Sequence, residues 1–262
     1  EPFFLFMSYR APHSFEGPIR DTLDYKEEDW PEIEKAHAAK ITLLDRQIGR
    51  LINKLKELGE LDNTLILFTS DNGPHFANGG HELEFFNSNG NLRGGKRDLY
   101  EGGIRVPLIA YWKNKIKSQS TSYHISGFQD IMSTFAEIIG YKTLKDLDGI
   151  SFLPTLLLKD QKKHEYLNWE YQLSGWFQNL PNGGFRQSVR IGNYKAVRYN
   201  LSSEIELFDL KQDEGETNNL ANFHPKILKK AQDIFENSRN EANGFPYGGV
   251  LQDYKSMDKF ER

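Results

Sequence analysis

The sequence predicts an α/β fold, a mixed β-sheet flanked by helices, followed by a smaller C-terminal antiparallel α+β domain. Three observations predict it. A long amphipathic helix pattern runs directly into an apolar strand pattern, the rhythm of layered α/β chains. A second apolar run and a second helix pattern follow. Past about residue 160 the texture changes to short strand patterns around a Gly-Asn pair, closed by a terminal helix. The expected division is therefore 1–160 and 161–262.

In order, Phe3 to Met7 is rich in strand formers and reads as a strand, entered so abruptly after Glu1 that the chain looks like one joined halfway through. A polar loop with Gly17 and Pro18 follows, which leaves His13 just past the strand end. Asp29-Trp30-Pro31-Glu32 combines a capping residue, a proline at the first helical position and a glutamate three residues after the cap. From there Ile33, Ile41, Leu44, Ile48, Leu51 and Leu55 recur at helical spacing up to Gly59, a C-terminal cap, giving a helix of about seven turns. Thr64 to Thr69 is a continuous apolar run, expected to be buried on both faces and stopped by Ser70-Asp71-Asn72-Gly73. Gly73 to Gly103 is polar and holds eight glycines, longer than a simple connection needs, and such loops carry function or remain disordered. Ile104 to Trp112 reads as a second buried strand, and Ile131, Phe135, Ile138 and Ile139 mark a helix ending at Gly140. Gly184 to Tyr199 reads as two strands around Gly192-Asn193, Glu206 to Leu210 as a third, and Pro225 to about Arg239 as the last helix before a Gly-rich tail.

Composition narrows the function. The 262 residues carry 33 basic and 37 acidic side chains, a net charge of −4 without a clustered basic footprint, so no nucleic-acid partner is expected. No apolar run approaches the roughly 20 residues that span a bilayer, so no membrane span is expected. Zero cysteines exclude disulfides, thiolate metal sites and a cysteine nucleophile within these residues.

Several residues could carry chemistry. Asp71 and Asn72 sit where a strand delivers its carboxyl end, the usual place for a ligand in an open α/β sheet. A carboxylate and an amide oxygen suit Ca²⁺ or Mg²⁺, though a calcium shell takes about 6–8 oxygens and the same Asp-Asn-Gly is also a plain turn. Lys96, with glycines on both sides, could present a compact positive charge to an oxyanion or be a solvated lysine. The segment is neither a Walker sequence nor a dinucleotide fingerprint. His13 and His75 could donate hydrogen bonds or protons near neutral pH, or be structural. His37, His124, His164 and His224 show no partner in the sequence. Glu101, before Gly102-Gly103, suits a backbone-holding role better than acid catalysis. The four tryptophans, Trp176 among them, suit core or pocket walls.

Taken together, Pro2-Phe3-Phe4-Leu5 near Ala11-Pro12-His13, then Ser70-Asp71-Asn72-Gly73-Pro74-His75, then Leu92-Arg93-Gly94-Gly95-Lys96 running on to Gly103-Ile104-Arg105-Val106-Pro107, closely resemble the later half of the type I, formylglycine-dependent sulfatases. The resemblance continues through Asp148-Gly149-Ile150-Ser151, Val189-Arg190 with Tyr194-Lys195, Glu206 to Leu210, and Glu216 with Asn219. It implies part of an alkaline phosphatase-like fold, with 1–160 the second half of the catalytic domain and 161–262 a C-terminal antiparallel subdomain. It implies Asp71 and Asn72 as two calcium ligands and Lys96 and His13 as sulfate contacts, His13 also managing leaving-group charge. In that family a hydrated formylglycine attacks sulfur while calcium and cationic donors stabilise the anionic oxygens.

The expected substrate is a sulfated carbohydrate or an aryl sulfate ester, and the loop through Gly79-Gly80-His81-Glu82 and Phe85 to Gly90, most similar to sulfatases acting on carbohydrate sulfates, points to the glycan, with His75 placed to touch the sugar. The family's Cys/Ser-x-Pro-x-Arg block and two further metal-ligand aspartates have no counterpart here. The expected partner is therefore a missing N-terminal half of the same protein, without which this chain is expected to be inert and to bind calcium weakly. A periplasmic or secreted location follows from the family alone. Competing expectations are a phosphodiesterase or phosphonate hydrolase of the same superfamily, which zinc would favour over calcium, and a non-catalytic sulfated-glycan-binding remnant.

Overall fold

A computed structural model of the chain describes residues 1–13, 23–75, 81–141, 146–172, 184–240 and 247–248. The Gly17-Pro18 loop, Gly79-Gly80, Trp176 and most of the Gly-rich tail lie outside them. Helix α1 spans Glu32–Glu57 and β1 spans Ile66–Thr69. Two single-turn helices, α2 (Leu83–Phe86) and α3 (Glu101–Ile104), punctuate the long loop before β2 (Leu108–Tyr111). Helices α4 (Gln129–Ile138) and α5 (Leu153–Leu156) follow, then β3 (Leu167–Tyr171), β4 (Arg186–Ile191), β5 (Tyr194–Arg198), β6 (Glu206–Asp209) and α6 (Pro225–Asn237).

Most element expectations hold, with boundaries trimmed. Helix α1 stops where Gly59 turns left-handed (φ 74°), and α4 where Gly140 does the same (φ 72°). The helix start differs: Pro31 is the N-cap and no side chain caps it, so Asp29 does not serve. A proline at that position already has a helix-compatible φ and no N–H to satisfy.

The strands of the first half differ more. β1 and β2 pair antiparallel, Ile66 opposite Tyr111 and Thr69 opposite Leu108, as a two-stranded sheet. Neither is buried on both faces: β1 is half-buried, and Leu108, Ile109 and Tyr111 are exposed. Ile104 belongs to α3 rather than to the strand. Phe3 to Met7 forms no strand and lies exposed, with the Phe4 ring resting 5.7 Å from Phe135 of α4. A strand sequence becomes a strand only when a neighbour takes its backbone groups, and among the described residues these runs find one partner or none.

The second sheet is an antiparallel meander, β3-β4-β5-β6, turned between β4 and β5 by Gly192 (φ 59°) and Asn193. Strand β3 has no counterpart in the sequence expectations. Its faces follow the period of two. Val189, Ala196 and Leu207 pack against Ala231, Ile234 and Phe235 of α6. The opposite face carries Arg186, Arg190, Lys195, Val197 and Phe208, and it meets the long loop around Tyr100.

The C-terminal sequence blocks are structural fasteners. The Asp130 carboxylate accepts Ile150 N (2.8 Å), Gly127 N (2.8 Å) and His164 Nε2 (2.8 Å), which supplies the partner that His164 lacked in the sequence. A Cβ on Gly149 would lie 2.0 Å from Gln129 O, so only glycine lets this segment approach α4. Asn219 Oδ1 accepts Leu207 N and Ala221 N, both at 3.0 Å, closing the connection after β6.

Candidate functional site

The carboxyl end of β1 delivers the turn Asp71 to His75, and the loop 93–103 is stitched beside it. Gly73 N donates to Gly103 O (2.9 Å) and Lys96 N donates to Pro74 O (2.8 Å). A Cβ on Gly73 would lie 1.8 Å from Gly102 O, and one on Gly102 would lie 2.2 Å from Gly94 O. The glycines around Lys96 therefore let backbone pack on backbone, which brings Lys96 to the strand end; this was expected to be room for a ligand.

This packing brings His75 and Lys96 together, within electrostatic reach of His13. His75 is half-buried, and its pKa is held below the usual value first by burial, then by the charges of Arg97, Lys96 and His13. An imidazole in that setting stays neutral at pH 7 and can donate one hydrogen bond. His13 reaches the cluster from the first segment, where its carbonyl accepts Lys40 Nζ of α1 (3.0 Å) and its N–H donates to Arg10 O (2.9 Å). Arg97, which the sequence reading passed over, adds a second cation beside Lys96. Asp71 and Asn72 lie in the same turn as His75, Asn72 half-buried and Asp71 exposed.

The pair fits a hard cation in type but not in number. Asn72 Nδ2 donates to Gly73 O (2.8 Å), which leaves the side-chain oxygen as the available donor beside the Asp71 carboxylate. Among the described residues no group of three or more His, Asp or Glu side chains converges on one point. A full oxygen shell needs donors beyond these two.

Glu101 is not part of this chemistry. Its carboxylate is buried and paired with Lys195 Nζ (3.0 Å) and Arg190 Nη1 (3.4 Å), while its N–H donates to Glu216 Oε2 (2.7 Å). A backbone-holding role was expected of it; the carboxylate instead holds side-chain cations of the second sheet. Burial raises the Glu216 carboxyl above its usual pKa against the opposing pull of Lys195. A separate chain links the buried Glu34 Oε2 and His81 to the exposed Ser88 Oγ, each step 2.5 Å, with His37 stacked on His81 at 4.0 Å. A cavity of about 350 Å³ near Tyr123, His124 and Lys159 shares no residue with the Lys96 cluster.

Comparison with known proteins decides the family. Residues 1–141 match the model of the sulfatase family, and residues 94–240 match that of the N-sulphoglucosamine sulphohydrolase C-terminal region. The chain belongs to the sulfatase family. It is 32% identical to an N-acetylgalactosamine-6-O-sulfatase of Bacteroides thetaiotaomicron, over 75% of this chain and 40% of that protein. It is 34% identical to an N-acetylglucosamine-6-O-sulfatase of the same organism, over 70% of this chain and 31% of that protein. The structure of Ps i-CgsB superimposes with a TM-score of 0.76 at 22% identity, covering 96% of this chain and 52% of that one, a likeness of fold. The sulfatase chain spans less than half the length of the curated relatives it matches. Its α/β architecture is that of the alkaline phosphatase-like fold.

Proposed function

We propose that this chain is the later half of the catalytic unit of a sulfatase that hydrolyses a carbohydrate sulfate ester, and that it is inactive alone. The observation that carries the reading is the stitching of the Lys96 turn to the Asp71–His75 strand end, which gathers Lys96, Arg97, His75 and His13 where an anionic group can be held. The names of the two Bacteroides relatives support an amino-sugar 6-sulfate as the substrate class.

In this reading Lys96 and His13 contact the sulfate oxygens and His75, as a neutral donor, meets the sugar. The Lys96 backbone is held before the substrate arrives, by its N–H to Pro74 O, which limits the reorganisation needed to meet charge developing on oxygen. His13 hands a proton to the departing sugar oxygen. Asp71 and Asn72, with donors from outside this chain, would hold calcium, and its chemistry there would be to supply positive charge beside the sulfate. The nucleophile also comes from outside: these residues contain no cysteine and no Ser-x-Pro-x-Arg. The exposed faces of β2 and α4 and the exposed Phe3 to Met7 segment support further chain as the partner that completes the unit. Export to the periplasm or the medium is proposed with the family.

The test is sulfate release from a 6-O-sulfated N-acetylhexosamine by the protein as its gene encodes it and by residues 1–262 alone, with bound metal identified. Turnover by the encoded protein with calcium, none by this chain, and a loss of about 10²-fold or more in kcat/KM for Lys96→Ala are expected. Turnover by the isolated chain would overturn the dependence on further chain, and zinc with preferred phosphoester or phosphonate cleavage would overturn the sulfatase chemistry. Tight binding of the sugar without turnover would favour the glycan-binding remnant, the reading favoured by the missing nucleophile.

A further inference from the structure

Lys96 sits in a strained turn that the second sheet holds from outside. Asp98 N donates to Gly95 O (2.9 Å), which closes a four-residue turn, and its third residue, Arg97, has φ 78°. Turns with a positive φ at the third residue take glycine or asparagine there, because a Cβ in the left-handed region costs about 1–2 kcal/mol. An arginine in that place needs its conformation imposed.

The imposing contacts are specific. Arg186 Nη1, from the first residue of β4, donates to Arg97 O and to Asp98 Oδ1, both at 2.9 Å. The Tyr199 hydroxyl, one residue past β5, donates to the same Asp98 oxygen at 2.8 Å. The other Asp98 oxygen accepts Gly95 N (3.1 Å), so one carboxylate ties the two ends of the turn together. The Arg186 guanidinium also lies over the Tyr199 ring, 4.3 Å from its centroid, which locks the two donors against each other. Arg186 and Tyr199 lie on the sheet face that meets the loop, about ninety residues or more along the chain from Lys96, and neither belongs to the cluster that would touch substrate.

We propose that Arg186 and Tyr199, acting through Asp98, are positioning residues that hold the Gly95–Asp98 turn in its strained form and so aim Lys96; the role in turnover rests on the sulfatase reading above. The loop keeps its other anchors when they are removed: Gly73 to Gly103, Arg93 over Tyr100, and Glu101 with Lys195. The clamp therefore governs the direction of Lys96 more than the folding of the loop.

The test uses the protein as its gene encodes it, with Tyr199→Phe, Arg186→Gln and Arg186→Lys, each alone and combined with Lys96→Ala. Backbone amides of residues 95–98 should exchange with solvent about tenfold faster in Tyr199→Phe and Arg186→Gln, with the thermal midpoint shifted by only a few degrees. Turnover of the sulfate ester should fall about ten- to a hundredfold, mainly in kcat, and Arg186→Lys should recover part of it. In the Lys96→Ala background the same changes should cost less than about twofold, since there is no ammonium left to aim. Unchanged exchange in the turn would overturn the clamp whatever the reaction is. Equal losses with and without Lys96 would reduce it to a packing contact. Faster exchange in a protein that turns over no sulfate ester would keep the clamp and sink the sulfatase reading.

Discussion

Glycines in the long loop differ sharply in what they do, and the difference can be measured. Gly73 faces Gly102 O at 1.8 Å from where a Cβ would stand, so Gly73→Ala must push apart the two segments that carry Asp71 and Lys96. A loss of at least about 3 kcal/mol in urea unfolding is expected, overpacking against backbone that cannot rotate away. Gly49, inside α1 with open space where its Cβ would go, provides the opposite case: Gly49→Ala should stabilise by about 0.5–1 kcal/mol through helix propensity. Similar effects of the two changes would contradict this account of the loop. At this scale the sequence was a poor guide to why glycines surround Lys96. Asp71, Asn72, His75 and Lys96 stand out by residue type. Arg97 did not, because a positive φ at a non-glycine residue leaves no mark in the chain's letters.

Between elements, one link is a buried ionic cluster. Lys195 lies fully buried on β5 between Glu101 of α3 (3.0 Å) and Glu216 (3.1 Å), with Arg190 of β4 on the far side of Glu101. Removing the cation leaves two carboxylates in a medium that cannot solvate them. Lys195→Met should therefore cost about 3–5 kcal/mol at pH 7.5. The penalty should shrink at pH 5, where burial already favours the neutral form of Glu216 and a proton can replace the lost ammonium. Denaturant midpoints at the two pH values measure both effects, and a penalty that grows on acidification would exclude the buried pair as its source. Three of the four strands of the second sheet and the Gly-Asn turn were legible from period and turn chemistry, and β3 was not. The alternation of Arg186, Ser188 and Arg190 along β4 was also in the sequence, but a charged face at period two reads as solvated until something is known to cover it.

For the whole molecule, the surface is the informative part. Phe4, Phe6, Ile109, Met132 and Ile139 are between 59% and 77% exposed, and they lie on the first segment, β2 and α4, away from the well-covered faces of the four-stranded sheet. Where exposed apolar side chains adjoin, they mark a surface that a partner covers, and in the proposed reading that partner is further chain. Residues 1–262 expressed alone should bind a hydrophobic dye strongly and sediment as soluble oligomers or aggregate. A monodisperse, dye-silent monomer would show that the faces cover themselves in solution. The sequence by itself determined the family, the three longer helices and the strands around the Gly192-Asn193 turn, because these depend on residue type and on spacing along one element. Only the tertiary structure decided that β1 and β2 pair with each other, that Phe3 to Met7 forms no strand, and that Arg186 and Tyr199 reach the Lys96 turn. Those outcomes depend on which distant segment supplies a hydrogen-bond partner, and nothing local encodes the partner's position.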